Sequence, residues 1–196
     1  MDKIGITGLI ATGKTSVATV LAGQQLACLD CDSVVARLYQ SPEVKDIIQS
    51  RFGYSFFTPG GSLDQKKLGA FAFEHEPVLH WLEQILWPRV SEQVALWLFG
   101  QQKKGLPVAF VFGTHLVASG IHTQIDELWQ LTSQRELVLE RVQARYHLSR
   151  LQAATRRRLS RDPMLTSQNV TLVIENYDTI PQLQAQIIKL IRQRGW

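Results

Sequence analysis

With 196 residues, 45% hydrophobic and 19% charged, the chain suits one compact globular, soluble domain or a core with a small insertion. Net charge is +4 (21 basic minus 17 acidic residues), a mild balance that fits phosphorylated substrates as well as neutral ones. No segment approaches the roughly 18 continuous apolar residues of a membrane span, and Met1-Asp2-Lys3 leads straight into a strand pattern, so a cytoplasmic protein without a signal peptide is expected.

Ile4, Gly5 and Ile6 form a short apolar run suited to a buried strand. Gly8 to Thr15 then reads G-x-x-x-x-G-K-T, and Ser16 to Leu21 reads as a helix, with Val17, Val20 and Leu21 on one face. Strand, glycine loop and helix are the context this motif needs. A loop of successive backbone N–H groups opening into a helix makes a cradle for phosphate oxygens. Gly8 and Gly13 permit backbone conformations that a Cβ would block. Lys14 can reach the β- and γ-phosphates, and the Thr15 hydroxyl can ligate Mg²⁺. A mere glycine turn would explain neither Lys14 nor Thr15.

Leu26 to Leu29 reads as a second strand, ending in Asp30-Cys31-Asp32, with Ser33 to Tyr39 helical. A carboxylate at a strand end near a phosphate loop can take a proton from an attacking hydroxyl or hold Mg²⁺ through water. The same two acids could simply cap the following helix. Cys28 and Cys31, in C-x-x-C spacing with no second pair, would face opposite sides of a strand and serve as small apolar packing.

Ser41-Pro42-Glu43 is a helix start, with the helix running to about Arg51. Residues 52–62 read as a loop and 64–73 as a short helix. A long helix is expected from Pro77 to Gln102, kinked or broken at Pro88. Pro107 to Phe112 is the clearest buried strand, and Asp126 to Thr132 the next. Ser133 should cap a helix through about Arg145, and Ser149 another. Leu172 to Glu175 reads as the last strand and Ile180 to Arg192 as the last helix.

Strands alternating with helices imply a mostly parallel α/β sheet covered on both faces, with ligands outside the carboxyl ends of its strands. Eight arginines lie between Arg135 and Arg161. A helical pair carrying them is suited to a closing lid over phosphate, and part of it to a plain solvated face. With only Tyr146 interleaved, nucleic-acid stacking is not expected.

These motifs together resemble the dephospho-coenzyme A kinases along nearly the whole chain. The opening from Ile4 to Ala18 matches, and Leu29-Asp-Cys-Asp-Ser-Val-Val-Ala-Arg37 looks like the family's Asp-x-Asp-x-hydrophobic-Ala-Arg segment. Phe52-Gly53, Leu63-Asp64, Leu68-Gly69 and Phe73 follow at family spacing, with Leu82-Glu83-x-Ile85-x-Trp87-Pro88 after them. Glu140-Arg141 with Arg145 is similar to the start of the lid, and Val173-Ile-Glu-Asn176 to the last strand.

The resemblance implies a P-loop NTPase-type three-layer fold, with five parallel strands, a helical acceptor-binding insertion and a helical lid. In that reading one kinase domain has its core at about 1–40, 104–135 and 165–196, the acceptor-binding region at 41–103 and the lid at 136–164. It implies ATP with Mg²⁺ and phosphorylation of the ribose 3′-hydroxyl of dephospho-coenzyme A by a monomer or weak homo-oligomer.

Residue by residue, Gly8, Ala11, Thr12, Gly13, Lys14, Thr15 and Ser16 would bind ATP. Asp32 would be the base and, with Thr15, a metal ligand. Arg37 and Arg141 would bind phosphate groups, Arg141 from the lid and in a catalytic role with Lys14. Gln65, Trp87 and Ala118 stand where the family has arginine, histidine and glutamate, and Arg156 to Arg161 do not reproduce its Arg-x-x-x-Gln element. A different hydroxyl acceptor, or a non-catalytic nucleotide-binding relative, therefore stays open at this point.

Overall fold

The computed structural model describes residues 1–177 and 179–196. They divide into two compact units, one made of Met1–Asp30 with Val94–Trp196, the other of Cys31–Gln93.

The first unit is built on a sheet of five parallel strands: β1 (Asp2–Thr7), β2 (Ala27–Asp30), β3 (Val108–Phe112), β4 (Glu127–Thr132) and β5 (Leu172–Glu175). Their spatial order is β2-β3-β1-β4-β5. Helix α1 (Lys14–Gly23) returns the chain from β1 to β2. Two further α-helices, numbered α6 and α7 below, separate β4 from β5, and the last, α8 (Ile180–Gln193), follows β5.

β3 is buried at every position, which is why its sequence is a continuous apolar run rather than an alternating one. Ile4, Ile6, Phe110, Phe112, Trp129, Leu131 and Ile174 form one core with Val17, Val20 and Leu21 of α1 and Leu183, Ile187 and Ile191 of α8. The C-terminal Trp196 closes one end, stacked on Trp129 at 6.0 Å between ring centroids.

The second unit contains α2 (Cys31–Leu38), α3 (Pro42–Phe52), α4 (Gln65–Glu74) and most of α5 (Glu76–Lys103). Ser41 accepts from the Val44 N–H at the start of α3, with Pro42 at the first helical position. Asp64 does the same for α4 through the Lys67 N–H. Val44, Ile48, Leu68, Ala72, Leu82 and Leu86 form the core, enlarged by a ring cluster of Phe52, Phe56, Phe71 and Trp81.

Three local expectations are corrected. Of the expected kink or break at Pro88, the break is absent: α5 is one helix from Glu76 to Lys103. Leu82, Leu86 and Val90 keep one face of it buried across the proline, and this packing holds the helix together although the proline leaves the Gln84 carbonyl without its backbone donor. Ser133 is not a cap: α6 (Arg135–Tyr146) starts after Gln134, and the Ser133 hydroxyl donates to the Asn176 carbonyl at 2.7 Å. Cys31 does not lie on a strand; it opens α2 and is buried, while Cys28 sits half-buried on β2, and neither forms a disulfide. Ser149 does cap α7 (Arg150–Leu159), in a reciprocal box with Gln152.

Candidate active site

The carboxyl edge of the sheet gathers the ends of all five strands. Gly8 follows β1, Asp30 ends β2, Gly113 follows β3, Ser133 follows β4 and Asn176 follows β5. The Gly113 N–H donates to the Ile6 carbonyl at 3.2 Å and the Asn176 N–H to Thr132 at 2.8 Å, so the ladders continue into these loops.

The loop from Gly8 to Gly13 is held in a shape that demands its glycines. Gly8 has φ +148° and Gly13 φ +108°, both where L side chains are rarely found. A Cβ on Gly8 would lie 2.4 Å from the Leu131 carbonyl oxygen, and one on Gly13 2.5 Å from the Asn176 side-chain nitrogen. Ala11 also takes a positive φ of 60°.

The Thr12 hydroxyl closes the turn on the Leu9 carbonyl at 2.8 Å. Gly13 then begins α1 without a side-chain cap, and the first turn of α1 carries no acid. Its leading N–H groups are of the kind that satisfy themselves on an anion. Lys14 opens the helix, and its Nζ lies over the loop, donating to the carbonyls of Gly8 (2.7 Å) and Leu9 (3.0 Å). Thr15 is exposed and Ser16 half-buried beside it.

α6 and α7 pack on this loop. Val138, Leu139, Val142 and Ala153 form a small core that Ile10 and Ala11 of the loop join. Arg141 on α6 reaches the loop directly, its guanidinium 3.4 Å from the Ala11 carbonyl and 3.5 Å from the Ser133 hydroxyl.

The other lid arginines divide by environment. Arg156 lies 3.9 Å over the Tyr146 ring, and burial, followed by the neighbouring Arg145, pushes its guanidinium below the usual range. It is a packing residue. Arg150 pairs with Glu136 on the surface. Arg157, Arg158 and Arg161 instead line a cavity of about 350 Å³ together with Thr7, Gly8 and Leu9.

Asp32 is exposed in the first turn of α2 and Arg37 exposed in its last, so both candidates stand on one helix of the second unit. The chain reaches Asp32 two residues after β2 ends at the sheet edge. Three residues in the first unit have roles that no motif or spacing assigns. Asn176 donates from Nδ2 to the Thr12 carbonyl at 2.7 Å, Ser160 accepts from the Ile10 N–H, and Asp162 accepts from a loop beyond β3.

A parallel sheet in this order, with a left-handed glycine loop opening its first helix and an arginine-bearing helical pair above it, defines a P-loop kinase. The sequence profile of one such group, dephospho-CoA kinase, matches residues 3–182, and the chain belongs to that family. It is thus a transferase whose family reaction is ATP-dependent phosphorylation of dephospho-coenzyme A, a step of coenzyme A biosynthesis.

A dephospho-CoA kinase of Geobacter sulfurreducens is 29% identical over 195 residues, with 99% of each chain covered. A crystal structure from Thermus thermophilus is 26% identical and superposes with a TM-score of 0.71 over 98% of this chain and 97% of its own. The dephospho-CoA kinase of Campylobacter jejuni, 19% identical, shares the fold with a TM-score of 0.68 over 97% of this chain and 96% of its own.

Proposed function

We propose that this chain transfers the γ-phosphoryl group of ATP to the ribose 3′-hydroxyl of dephospho-coenzyme A, with the loop from Gly8 to Ser16 as the nucleotide site and Asp32 as the base. The observation that carries the reading is the uncapped start of α1 behind two left-handed glycines, with Lys14 lying over the loop.

Backbone N–H groups of Ala11, Thr12, Gly13 and their neighbours take the β- and γ-phosphate oxygens, and Lys14 shifts from the Gly8 and Leu9 carbonyls to those phosphates. Arg141, already anchored at Ala11, neutralises charge developing on the transferred group. The Asp32 carboxylate takes the proton of the attacking hydroxyl and Arg37 binds acceptor phosphate. The helical unit Cys31–Gln93 carries the acceptor side, and α6 with α7 is the lid over a core formed by the rest.

The donors fit Mg²⁺. No group of three or more His, Cys, Asp or Glu side chains among the described residues could cage a metal. A kinase Mg²⁺ needs only one or two protein oxygens, the rest coming from phosphate and water. The exposed hydroxyl of Thr15 and the carboxylate of Asp32 would hold it. When bound, it supplies charge neutralisation at the β- and γ-oxygens. The setting is the cytoplasm, with small molecules as the only partners.

The test is phosphoryl transfer from ATP, measured with and without dephospho-coenzyme A. Transfer should require the acceptor, and Lys14→Ala should weaken ATP binding at least about tenfold, since charge-assisted contacts contribute roughly 1.5–3 kcal/mol. Equal ATP affinity in wild type and Lys14→Ala would sink the assignment.

A further inference from the structure

The turn that follows α7 carries more fixed hydrogen bonding than a surface connection needs. Ser160 is buried, accepts the Ile10 N–H of the phosphate loop at 3.1 Å and donates to the Arg157 carbonyl at 2.8 Å. Two residues on, Asp162 is only 4% exposed. Its carboxylate accepts from the Val117 N–H (2.8 Å), the Ala118 N–H (3.2 Å) and the Met164 N–H (3.0 Å).

A carboxylate this buried is costly unless its lone pairs are filled, and three backbone donors fill them. The root of the lid is thereby fastened at two points, to the loop after β1 by Ser160 and to the loop after β3 by Asp162. Arg161 stands between them and lines the cavity beside Gly8 and Leu9. Arg157 lines the same cavity, and its Nε is buried with no hydrogen-bond partner among the described residues. A buried guanidinium N–H without an acceptor, beside a phosphate loop, calls for an anion.

We propose that Arg161 and Arg157 bind the polyphosphate of the nucleotide, and that Asp162, with Ser160, is the positioning residue that holds Arg161 against the phosphate loop. The proposal rests on the reading of the loop from Gly8 to Ser16 as the nucleotide site. The nucleotide is favoured over the acceptor because Gly8 and Leu9 of the phosphate loop line the same cavity as these arginines. A lid that moves as a whole would deliver its arginines only on closing. A clamped root instead keeps Arg161 preorganised, so its contact costs little reorganisation.

The experiment is calorimetric titration with ATP of wild type, Arg161→Ala, Asp162→Asn, the double variant and Lys14→Ala, each first checked for a cooperative thermal transition. Arg161→Ala should raise the ATP Kd by about tenfold, the effect of losing one charge-assisted contact. Asp162→Asn keeps the shape but offers one acceptor oxygen where the carboxylate offers two, and should weaken ATP similarly. If Asp162 acts through Arg161, the double variant is no worse than the weaker single one.

ATP affinity unchanged by Arg161→Ala, with Lys14→Ala weakened, overturns this proposal and leaves the nucleotide site standing. ATP affinity unchanged by Lys14→Ala overturns the nucleotide site itself. Losses that multiply in the double variant show a structural role for Asp162 alone and overturn the clamp. Should Asp162→Asn fail to fold, Arg161→Ala still decides, because that side chain is exposed.

Discussion

Asn176 offers the sharpest test of how the phosphate loop is held. Its N–H extends the β4–β5 ladder to Thr132 (2.8 Å), and its carbonyl accepts from Ser133 (2.7 Å). Both are backbone groups, untouched by a side-chain substitution. The side chain makes one further bond, from Nδ2 to the buried Thr12 carbonyl at 2.7 Å. Asn176→Ala therefore removes one donor and little else. A typical hydrogen bond contributes about 1 kcal/mol net, and an acceptor left buried and unsatisfied costs about 1–3 kcal/mol. Because the substitution leaves the acceptor behind, the second figure applies, and the expected loss is roughly 1–3 kcal/mol.

At about 2–4 °C per kcal/mol for a domain of this size, the melting temperature should fall by roughly 2–12 °C. Because the bond ends on Thr12, the phosphate loop should loosen as well, and ATP affinity should drop along with stability. Asn176→Asp should be no better, since a carboxylate would face the Thr12 carbonyl without a proton to donate. Thermal melts followed by circular dichroism, paired with ATP titration, measure both quantities. A melting temperature within about 1 °C of wild type would show that the Thr12 carbonyl finds another donor, and the reasoning would fail.

How much of this could be read in advance depended on the range of the interaction. The phosphate loop was legible because its chemistry fixes glycine, lysine and threonine at set spacing within eight residues. The parallel sheet was legible because burial on both faces leaves continuous apolar runs such as Val108 to Phe112. The break that Pro88 suggests does not occur, because a local rule, the missing N–H, is outweighed by packing of Leu82, Leu86 and Val90 along the same helix. Ser133 looked like a cap, but its hydroxyl is spent on a residue 43 positions away. The loop's own supports were invisible for the same reason: the partners of Ser160, Asp162 and Asn176 lie 150, 45 and 164 residues distant. No periodicity or spacing encodes such pairs.

Substitutions at four further positions extend the test to the acceptor side and to pH. Asp32→Asn keeps the shape but cannot take a proton, and should cut turnover by roughly 10²–10⁴ with ATP binding largely intact; a larger loss from Asp30→Asn would reverse the assignment. Burial pushes the Cys28 thiol up from 9.0 to about 11, so its alkylation at pH 8 should run about tenfold slower than that of an unshifted thiol, the roughly hundredfold loss of thiolate being partly offset by its greater nucleophilicity. The same shift makes folding stability fall as pH rises from about 9 to about 11, where only the unfolded chain ionises, and Cys28→Ala should remove that part of the loss. Gln65 is the most informative of the four. The carbonyls ending α2 need partners; the Tyr39, Gln40 and Ser41 N–H groups take those of Val35, Arg37 and Leu38, and Gln65 Nε2 takes that of Ala36 at 3.1 Å. Its side chain is thus occupied in joining α4 to α2 rather than free for a ligand. Arginine at this position keeps a donor for Ala36 and has others to spare for phosphate. Gln65→Arg should therefore leave stability nearly unchanged and lower the KM for dephospho-coenzyme A by on the order of tenfold, with the KM for ATP unaffected. Steady-state kinetics with each substrate varied in turn measures this. An unchanged acceptor KM in a stably folded variant would show that position 65 serves only the α2–α4 junction, and that the acceptor's phosphates are bound elsewhere in the chain.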